Sequence, residues 1–322
     1  MIARAAGAMM IVRVGKWSGL RFEGDTMTDS SELWTPESQF MVQGDSLKDV
    51  AQAYSVFLEV CATGHHKAFL NRLKSDPEAA KAEAAVFSWL RAKTLVPNIN
   101  EIAGKGGIDY LCSPNGIPFL LEVTCLSKAA VIDKSGWPDS LDEVAHSFSM
   151  ITPQLAGKGK SKAPQLSTGQ AGIPRVLAIC LAHPGASAML GTLAAQWSMV
   201  SDPKIQAPIV AQGTELGPTR LVSDLKRAVF FGPRDAVIVP MRQSISAILL
   251  VALWDNQLNV VGMLHPKPTV PLDYRVFARV PFLRVEWPLM SPIQMEWVIG
   301  NPSSLIEHHV KVALTDEELK GQ

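Results

Sequence analysis

The sequence predicts an α/β fold, a single domain with a mixed central sheet and helices on both sides. Three observations favour this class. From about Ser46 to Lys93, apolar residues recur at three- and four-residue steps, which is typical of amphipathic helices. Apolar runs at 108–126 and 175–182 are typical of strands. An Ala-rich stretch at 186–200 then predicts another helix.

Composition limits the domain organisation and the class of partner. The chain has 322 residues, of which 47% are hydrophobic, and this predicts one large domain at 41–322 behind a polar, mobile lead-in at 1–40. Lys plus Arg (30) balance Asp plus Glu (30), so any nucleic-acid-binding surface must be local. No apolar run approaches the roughly 18–20 residues of a membrane helix, and we expect a soluble, cytoplasmic protein.

Outside the central region, the Cys and His residues are not spaced like metal ligands. The four cysteines form no CxxC pair, and we expect them to be small buried hydrophobes in a reducing cytosol. His65 and His66 are adjacent, so they cannot share a helix face, and a surface position is expected instead of a metal site.

The best-defined helix is predicted at 77–93. Asp76 is a good N-cap residue, and Pro77 fits the first turn. Its apolar face carries Ala82, Val86, Trp89 and Leu90. Glu83 lies beside this face, a position where a glutamate is ordinarily a solvated helix residue.

The stretch 106–126 predicts a β-hairpin that carries two acids. Asn115-Gly116 is a strong turn signal, and with these residues at the centre of the turn, positions that sum to 231 face each other. Asp109 then lies opposite Glu122 on one face of the sheet, and any loop of even length keeps both acids on that face. Because like charges directly opposite each other are destabilising, a bound divalent cation is the simplest compensation.

The segment 157–172 allows two interpretations. Its Gly, Ser and Lys content is typical of a solvent-exposed flexible loop, whereas Lys158, Lys160 and Lys162 beside the acidic hairpin favour phosphate contact. A P-loop is excluded because the pattern ending at Ser161 requires glycine where Gln154 stands.

The C-terminal part predicts architecture more than chemistry. Runs at 245–253 and 259–264 predict a second hairpin, and a short strand is expected at 280–287. His265, at the end of the hairpin, is expected to be a hydrogen bonder and not a ligand. A small helix is expected beyond Pro302.

The order of these elements resembles the PD-(D/E)XK nuclease superfamily, which has the restriction-endonuclease-like fold. The resemblance rests on a helix with an inward glutamate (KAEAAVFSWLR), a strand with aspartate (GGIDYLC), a hairpin, and a strand ending in EVT. It continues through SKAPQLSTGQAGIPRVLAICLAH, which is similar to the second core helix with its Lys and Gln, followed by the next strand. The resemblance implies a nuclease-like core at about 77–265 with extra C-terminal strands.

The resemblance also implies roles for particular residues. Asp109 matches the motif aspartate, Glu122 the (D/E) position and Glu83 the first-helix acid. These three side chains and the carbonyl of Val123 would hold Mg²⁺ or Mn²⁺. The chain departs from the family at Thr124, which stands at the position of the catalytic lysine and has neither its charge nor its basicity.

Two lysines are candidates to replace the missing one. Lys128 follows the strand, where a surface position is the ordinary interpretation. Lys162 lies on the predicted second core helix with Gln165 one turn away, and helix-borne lysines occur in the superfamily, so Lys162 is preferred. The expected nucleic-acid-binding set is Lys158, Lys160, Lys162 and Gln165.

We therefore expect a divalent-metal-dependent nuclease that hydrolyses nucleic acid phosphodiesters, with DNA favoured as substrate and a homodimer or protein partner possible. The alternative is a catalytically inactive member of the same fold that acts as a nucleic-acid- or protein-binding scaffold, which Thr124 and the neutral net charge favour. An unrelated small-molecule α/β enzyme has no motif of its own in the sequence.

Overall fold

The computed structural model describes residues 39–41, 47–102, 104–135, 151–182, 190–201, 204–206, 220–223, 225–235, 237–254, 257–290, 292–300 and 309–314. Of the predicted lead-in, only residues 39 and 40 are among them, and they lie in the first strand. No helix in these ranges is long and apolar enough to cross a membrane.

Six α-helices are present in the described residues. They are α1 (Leu47–Cys61), α2 (Thr63–Ser75), α3 (Pro77–Ala92), α4 (Lys128–Ser135), α5 (Thr152–Ser167) and α6 (Thr192–Val200). The predicted start of α3 is confirmed, because the Asp76 side chain accepts a hydrogen bond from Ala79 N at 3.1 Å. The predicted helix at 186–200 is confirmed for its described part, α6.

Fourteen strands are described. They are β1 (Gln39–Met41), β2 (Pro97–Ile99), β3 (Tyr110–Cys112), β4 (Phe119–Leu126), β5 (Arg175–Leu181), β6 (Lys204–Gln206), β7 (Arg220–Ser223), β8 (Phe231–Arg234), β9 (Val237–Pro240), β10 (Ala247–Trp254), β11 (Gln257–Leu264), β12 (Pro281–Val285), β13 (Ile293–Ile299) and β14 (His309–Leu314). Twelve of them form one mixed sheet in the order β2-β3-β4-β5-β10-β11-β12-β13-β14-β7-β6, with β1 paired to β11. The predicted α/β class is confirmed.

The sheet has a hydrophobic core on each face. Along β5, Val176, Ala178 and Cys180 join a core that includes residues of α1, α2 and α3. The alternate residues Leu177 and Ile179 join a second core with residues of α5 and α6. Because successive side chains of a strand point to opposite faces, the helices therefore cover both faces, as the sequence predicts.

The cysteines are all unpaired, and their burial varies. Cys112 and Cys180 are buried, as predicted, whereas Cys61 is exposed at the end of α1. Cys125 is half-buried on β4.

One part of this fold carries the predicted acids. After α3, strands β2, β3 and β4 form an antiparallel meander, and β5 returns parallel to β4 after α5. Helices α3 and α5 pack on opposite faces of these strands. The end of α5 is held to β5 by Arg175, whose Nη2 donates to the carbonyls of Gly169 and Gln170 at 3.0 and 3.2 Å.

The predicted hairpin and its register are confirmed. Tyr110 pairs with Leu121 and Cys112 with Phe119, so paired positions sum to 231. At the turn, Ile117 N donates to Pro114 O at 2.9 Å, and the two central residues, Asn115 and Gly116, have φ of 50° and 78°. Positive φ at both central positions is what Asn-Gly favours.

The segment 157–172 differs from the flexible-loop interpretation, which is wrong for most of its length. Helix α5 runs through it to Ser167, although it contains Gly157, Gly159 and Pro164. Tertiary packing outweighs these poor helix formers, because Leu155 and Leu166 are fully buried. A Cβ on Gly159 would lie 3.2 Å from Val229 Cγ2, so glycine permits this close approach of the helix.

Most of the C-terminal predictions are confirmed, and one is wrong. The second hairpin is confirmed as β10 and β11, and the strand at 280–287 as β12. His265 is a hydrogen bonder as predicted: Nε2 donates to Met241 O at 2.7 Å, and Nδ1 accepts from Lys267 N. The helix expected beyond Pro302 is wrong for the described part, where residues 309–314 form β14 by pairing with β13.

Candidate functional site

A cleft of about 350 Å³ opens where α3 and α5 approach the ends of β3 and β4. We call it the acidic cleft. Its lining comprises Arg72, Asp76, Ala79, Glu83, Glu101, Gly106, Gly107, Asp109, Glu122, Val123, Thr124, Cys125, Lys158, Lys162 and Gln165. The structure thus brings together Asp109, Glu122, Glu83, Val123, Thr124 and Lys162.

Asp109 and Glu122 form the centre of the acidic cleft. Asp109 directly precedes β3, whose first pair is Tyr110 with Leu121, and it therefore lies beside Glu122. The Oδ2 atom of Asp109 accepts from Val123 N at 2.7 Å. Because the N–H and C=O of one strand residue point to the same side, the carbonyl of Val123 is directed to the edge where Asp109 lies.

The pKa values of the two acids are raised. Burial raises the pKa of Asp109 well above its usual range, and the charges of Glu122 and Glu83 raise it further. Burial also raises the pKa of Glu122, although the Lys162 ammonium opposes this. Two adjacent carboxyl groups resist being ionised at the same time. A cation that binds between them offsets this repulsion and favours the ionised form of both.

Lys162 is the lysine that reaches this acid pair. Its Nζ donates to Glu122 Oε1 at 2.7 Å and to Gln165 Oε1 at 3.0 Å. The other carboxylate oxygen, Glu122 Oε2, is buried and has no hydrogen-bond partner. Gln165 in turn donates from Nε2 to Gly107 O at 2.6 Å, which ties α5 to the segment leading into Asp109.

Glu83 lies on the other wall of the cleft and is fully engaged. Its Oε2 accepts from Arg72 Nη1, and its Oε1 accepts from the Tyr54 hydroxyl at 3.1 Å. The hydroxyls of Tyr54 and Tyr110 are hydrogen-bonded at 2.9 Å below it. Burial raises the pKa of Glu83, and the Arg72 guanidinium acts in the opposite direction.

The remaining predicted residues are divided between the cleft and its surroundings. Thr124 is buried on the same face as Glu122 and lines the cleft. Lys158 lines it too, one helical turn before Lys162, whereas Lys160 is exposed and lies outside the lining. Lys128 begins α4, its N–H donates to Glu78 Oε2 at 2.6 Å, and it does not line the cleft.

The adjacent histidines have separate partners. His65 Nε2 is hydrogen-bonded to Glu101 O at 2.7 Å, and His66 Nε2 to Ser55 Oγ at 3.0 Å. These ring nitrogens therefore face different groups.

Arg72, Tyr54, Tyr110 and Glu101 are cleft residues or supports that the sequence does not single out. Tyr54 and Tyr110 fall on apolar faces and look like core residues, and Arg72 lies on a helix with no motif. Glu101 reaches the cleft because the chain turns at Gly104, Gly106 and Gly107, which have φ of 77°, 75° and 142°. The glycines of that turn were the one available signal.

The donor set suits a hard divalent cation only in part. No group of three or more His, Cys, Asp or Glu side chains placed to hold a metal ion is found among the described residues. Asp109, Glu122 with its unpartnered Oε2, and the carbonyl of Val123 are all oxygen donors. Mg²⁺ fits such a small set, because it keeps several waters and often binds one or two protein carboxylates.

Comparisons with protein families, with curated proteins and with solved structures find no match to this chain. Its function has to be argued from the residues of the acidic cleft.

Proposed function

We propose that this chain is a divalent-metal-dependent nuclease that hydrolyses phosphodiester bonds of nucleic acid, with DNA as the favoured substrate. The observation that carries the proposal is the contact of Lys162 Nζ with Glu122 Oε1 at 2.7 Å, beside Asp109 and inside an open cleft. A lysine beside two acids is the set that the resemblance to the PD-(D/E)XK superfamily implies, and here α5 supplies the lysine while Thr124 stands at the lysine position on β4.

Asp109, Glu122 and the carbonyl of Val123 hold the cation, which would be Mg²⁺ or Mn²⁺. When bound, such an ion makes a water nucleophilic near neutral pH and offsets charge on the leaving oxygen. Asp109 is kept in place by the Val123 N–H, and Glu122 by its position inside a paired strand. Glu83 supports this wall of the cleft through Arg72 and Tyr54 and does not reach out as a free ligand.

Lys162 supplies the positive charge. A cation held close to the reacting phosphate stabilises the charge that develops in the transition state. Lys158, on the same face of α5, extends this charge along the cleft, so the basic surface is local although the whole chain is neutral. Lys158 and Lys162 are thus the proposed phosphate contacts, and the exposed Lys160 lies outside the cleft.

A second candidate is an inactive nuclease-fold protein that serves as a binding scaffold. Two observations favour it: Thr124 at the lysine position, and the lack of a three-side-chain metal group in the described part of the chain. On this alternative, the ion pair of Lys162 with Glu122 only neutralises a buried acid.

The test is calorimetric titration of Mg²⁺ and Mn²⁺ into the wild type and into an Asp109→Ala/Glu122→Ala double variant, followed by incubation with plasmid, single-stranded DNA and RNA. The nuclease proposal expects metal binding and cleavage in the wild type and the loss of both in the double variant.

Lys162→Ala and Lys160→Ala form a matched pair on one helix. The first is expected to abolish cleavage and the second to leave it unchanged, because only Lys162 lies within reach of the acids. A wild type that binds neither ion at millimolar concentration and cleaves no substrate would favour the scaffold.

A further inference from the structure

Gln165 lies between the two chain segments that build the acidic cleft. Its Nε2 donates to Gly107 O at 2.6 Å, two residues before Asp109. Its Oε1 accepts from Lys162 Nζ at 3.0 Å, on the same helix. Both ends of the side-chain amide therefore have a partner within the protein.

The two acceptors of Lys162 respond differently to a cation. Glu122 Oε1 belongs to a proposed metal ligand whose other oxygen is buried without a partner. A divalent ion on Glu122 competes with the ammonium, because two cations at one carboxylate repel each other. Gln165 Oε1 is a neutral amide oxygen that is not among the proposed ligands, so it remains available to the ammonium.

We infer that Gln165 is a positioning residue that keeps the Lys162 ammonium in the acidic cleft when a metal ion takes over Glu122. The inference rests on the proposed function. The lysine ammonium sits on a flexible four-carbon stem, so it stays at one point only where acceptors hold it. Gln165, three residues further along α5, is that anchor.

The experiment is competitive amine labelling read by mass spectrometry, with Lys160 on the same helix as the exposed internal reference. The ratio of Lys162 to Lys160 labelling is measured with and without saturating Mn²⁺ in the wild type, Gln165→Leu and Gln165→Glu. Leu removes both hydrogen bonds, whereas Glu keeps an acceptor for the ammonium.

Without metal, the ratio in Gln165→Leu is expected to rise less than about threefold, because Glu122 still holds the ammonium. With Mn²⁺, it is expected to rise roughly tenfold over the wild type, because both anchors are then lost. Gln165→Glu is expected to behave like the wild type in both conditions.

Equal ratios in the wild type and Gln165→Leu at saturating Mn²⁺ would overturn the inference. So would a raised ratio in Gln165→Glu, which would mean that α5 has merely loosened. If calorimetry finds no Mn²⁺ binding to the wild type, the proposed function fails. In that case no ion displaces the ammonium from Glu122, and the inference is refuted together with the proposed function, whereas Mn²⁺ binding with equal labelling ratios refutes the inference alone.

Steady-state kinetics give an independent reading on an active protein. A positioning role lowers kcat in Gln165→Leu and leaves KM within about twofold of the wild type. A raised KM at unchanged kcat would identify Gln165 as a nucleic acid contact instead and overturn the inference.

Discussion

Glu83 and Glu122 lie on opposite walls of one cleft, and each is paired with one cation, yet they differ in how they are satisfied. Both oxygens of Glu83 accept hydrogen bonds, from Tyr54 and from Arg72. Only Oε1 of Glu122 does so, and Oε2 is buried without a partner. A buried carboxylate oxygen left unpaired is costly, and the proposed metal ion would supply the missing partner.

In the proposed site, Glu83 is a supporting acid and Glu122 a metal ligand. Both oxygens of Glu83 are connected to α1 and α2 through Tyr54 and Arg72. Oε2 of Glu122 is the oxygen that the proposed ion would bind. Sequence alone gives both residues the same label, and only the hydrogen-bond partners distinguish them.

The largest expected effect comes from Glu122→Gln. We expect cleavage to fall at least about a hundredfold, because a neutral amide holds a divalent cation poorly and the charge stabilisation is lost. The free energy of unfolding should change by less than about 1 kcal/mol, since the amide oxygen still accepts from Lys162 and the repulsion between Glu122 and Asp109 is removed. Cleavage assays and urea unfolding measure the two. A stability loss without an activity loss would reverse the comparison.

Glu83→Gln should lower stability more, and cleavage less, than Glu122→Gln does. We expect it to destabilise the fold by about 2 kcal/mol, below the 3–5 kcal/mol of a fully buried pair because Arg72 is partly exposed. At a temperature where the variant is folded, cleavage should fall less than in Glu122→Gln. Thermal and urea unfolding give the first value and cleavage assays the second. Equal activity losses in the two variants would show that Glu83 is a ligand as well.

The pH dependence of stability tests the burial of Asp109 beside the two glutamates. Burial, with Glu122 and Glu83 nearby, raises its pKa in the folded chain. The folded state then binds more protons than the unfolded state, so the free energy of unfolding should fall as pH rises from about 4 through the raised pKa. Urea unfolding at stepped pH without divalent ions measures this fall, and Asp109→Asn should reduce the slope. An unchanged slope would mean that Asp109 ionises normally.

The smallest effect is expected from Tyr54→Phe. It removes one of the two hydrogen bonds to Glu83 and the one with Tyr110 while keeping the ring in place, at a cost of about 1 kcal/mol. Urea unfolding of the variant measures it. The loss should be smaller in a Glu83→Gln background, where the hydroxyl faces a neutral amide, and full additivity there would show that Tyr54 acts independently of Glu83.

Local rules predicted the parts of the fold that depend on neighbouring residues. The Asn-Gly turn fixed the register that pairs Tyr110 with Leu121, and the Asp76 cap fixed the start of α3. Both depend on hydrogen bonds within a few residues. The face shared by Asp109 and Glu122 followed from that register.

Contacts between distant segments were less predictable. Helix α5 forms in spite of its glycines and proline because the buried Leu155 and Leu166 pay for it through tertiary contacts. The Arg72 partner of Glu83 comes from α2, another helix, and nothing in the spacing of the sequence marks it. No local pattern marks Lys162. Only the resemblance to the nuclease superfamily, which implies a lysine where β4 carries Thr124, indicates it.

Gly159 sets how closely the helix that carries Lys162 can pack against Val229. This residue precedes Lys162 by three positions, and the absence of its methyl group lets α5 lie close to Val229. Alanine there would gain roughly 1 kcal/mol of helix propensity, but Val229 would have to give way by a few tenths of an ångström. Helix propensity and close packing are therefore opposed at a single methyl group on the helix that carries Lys162.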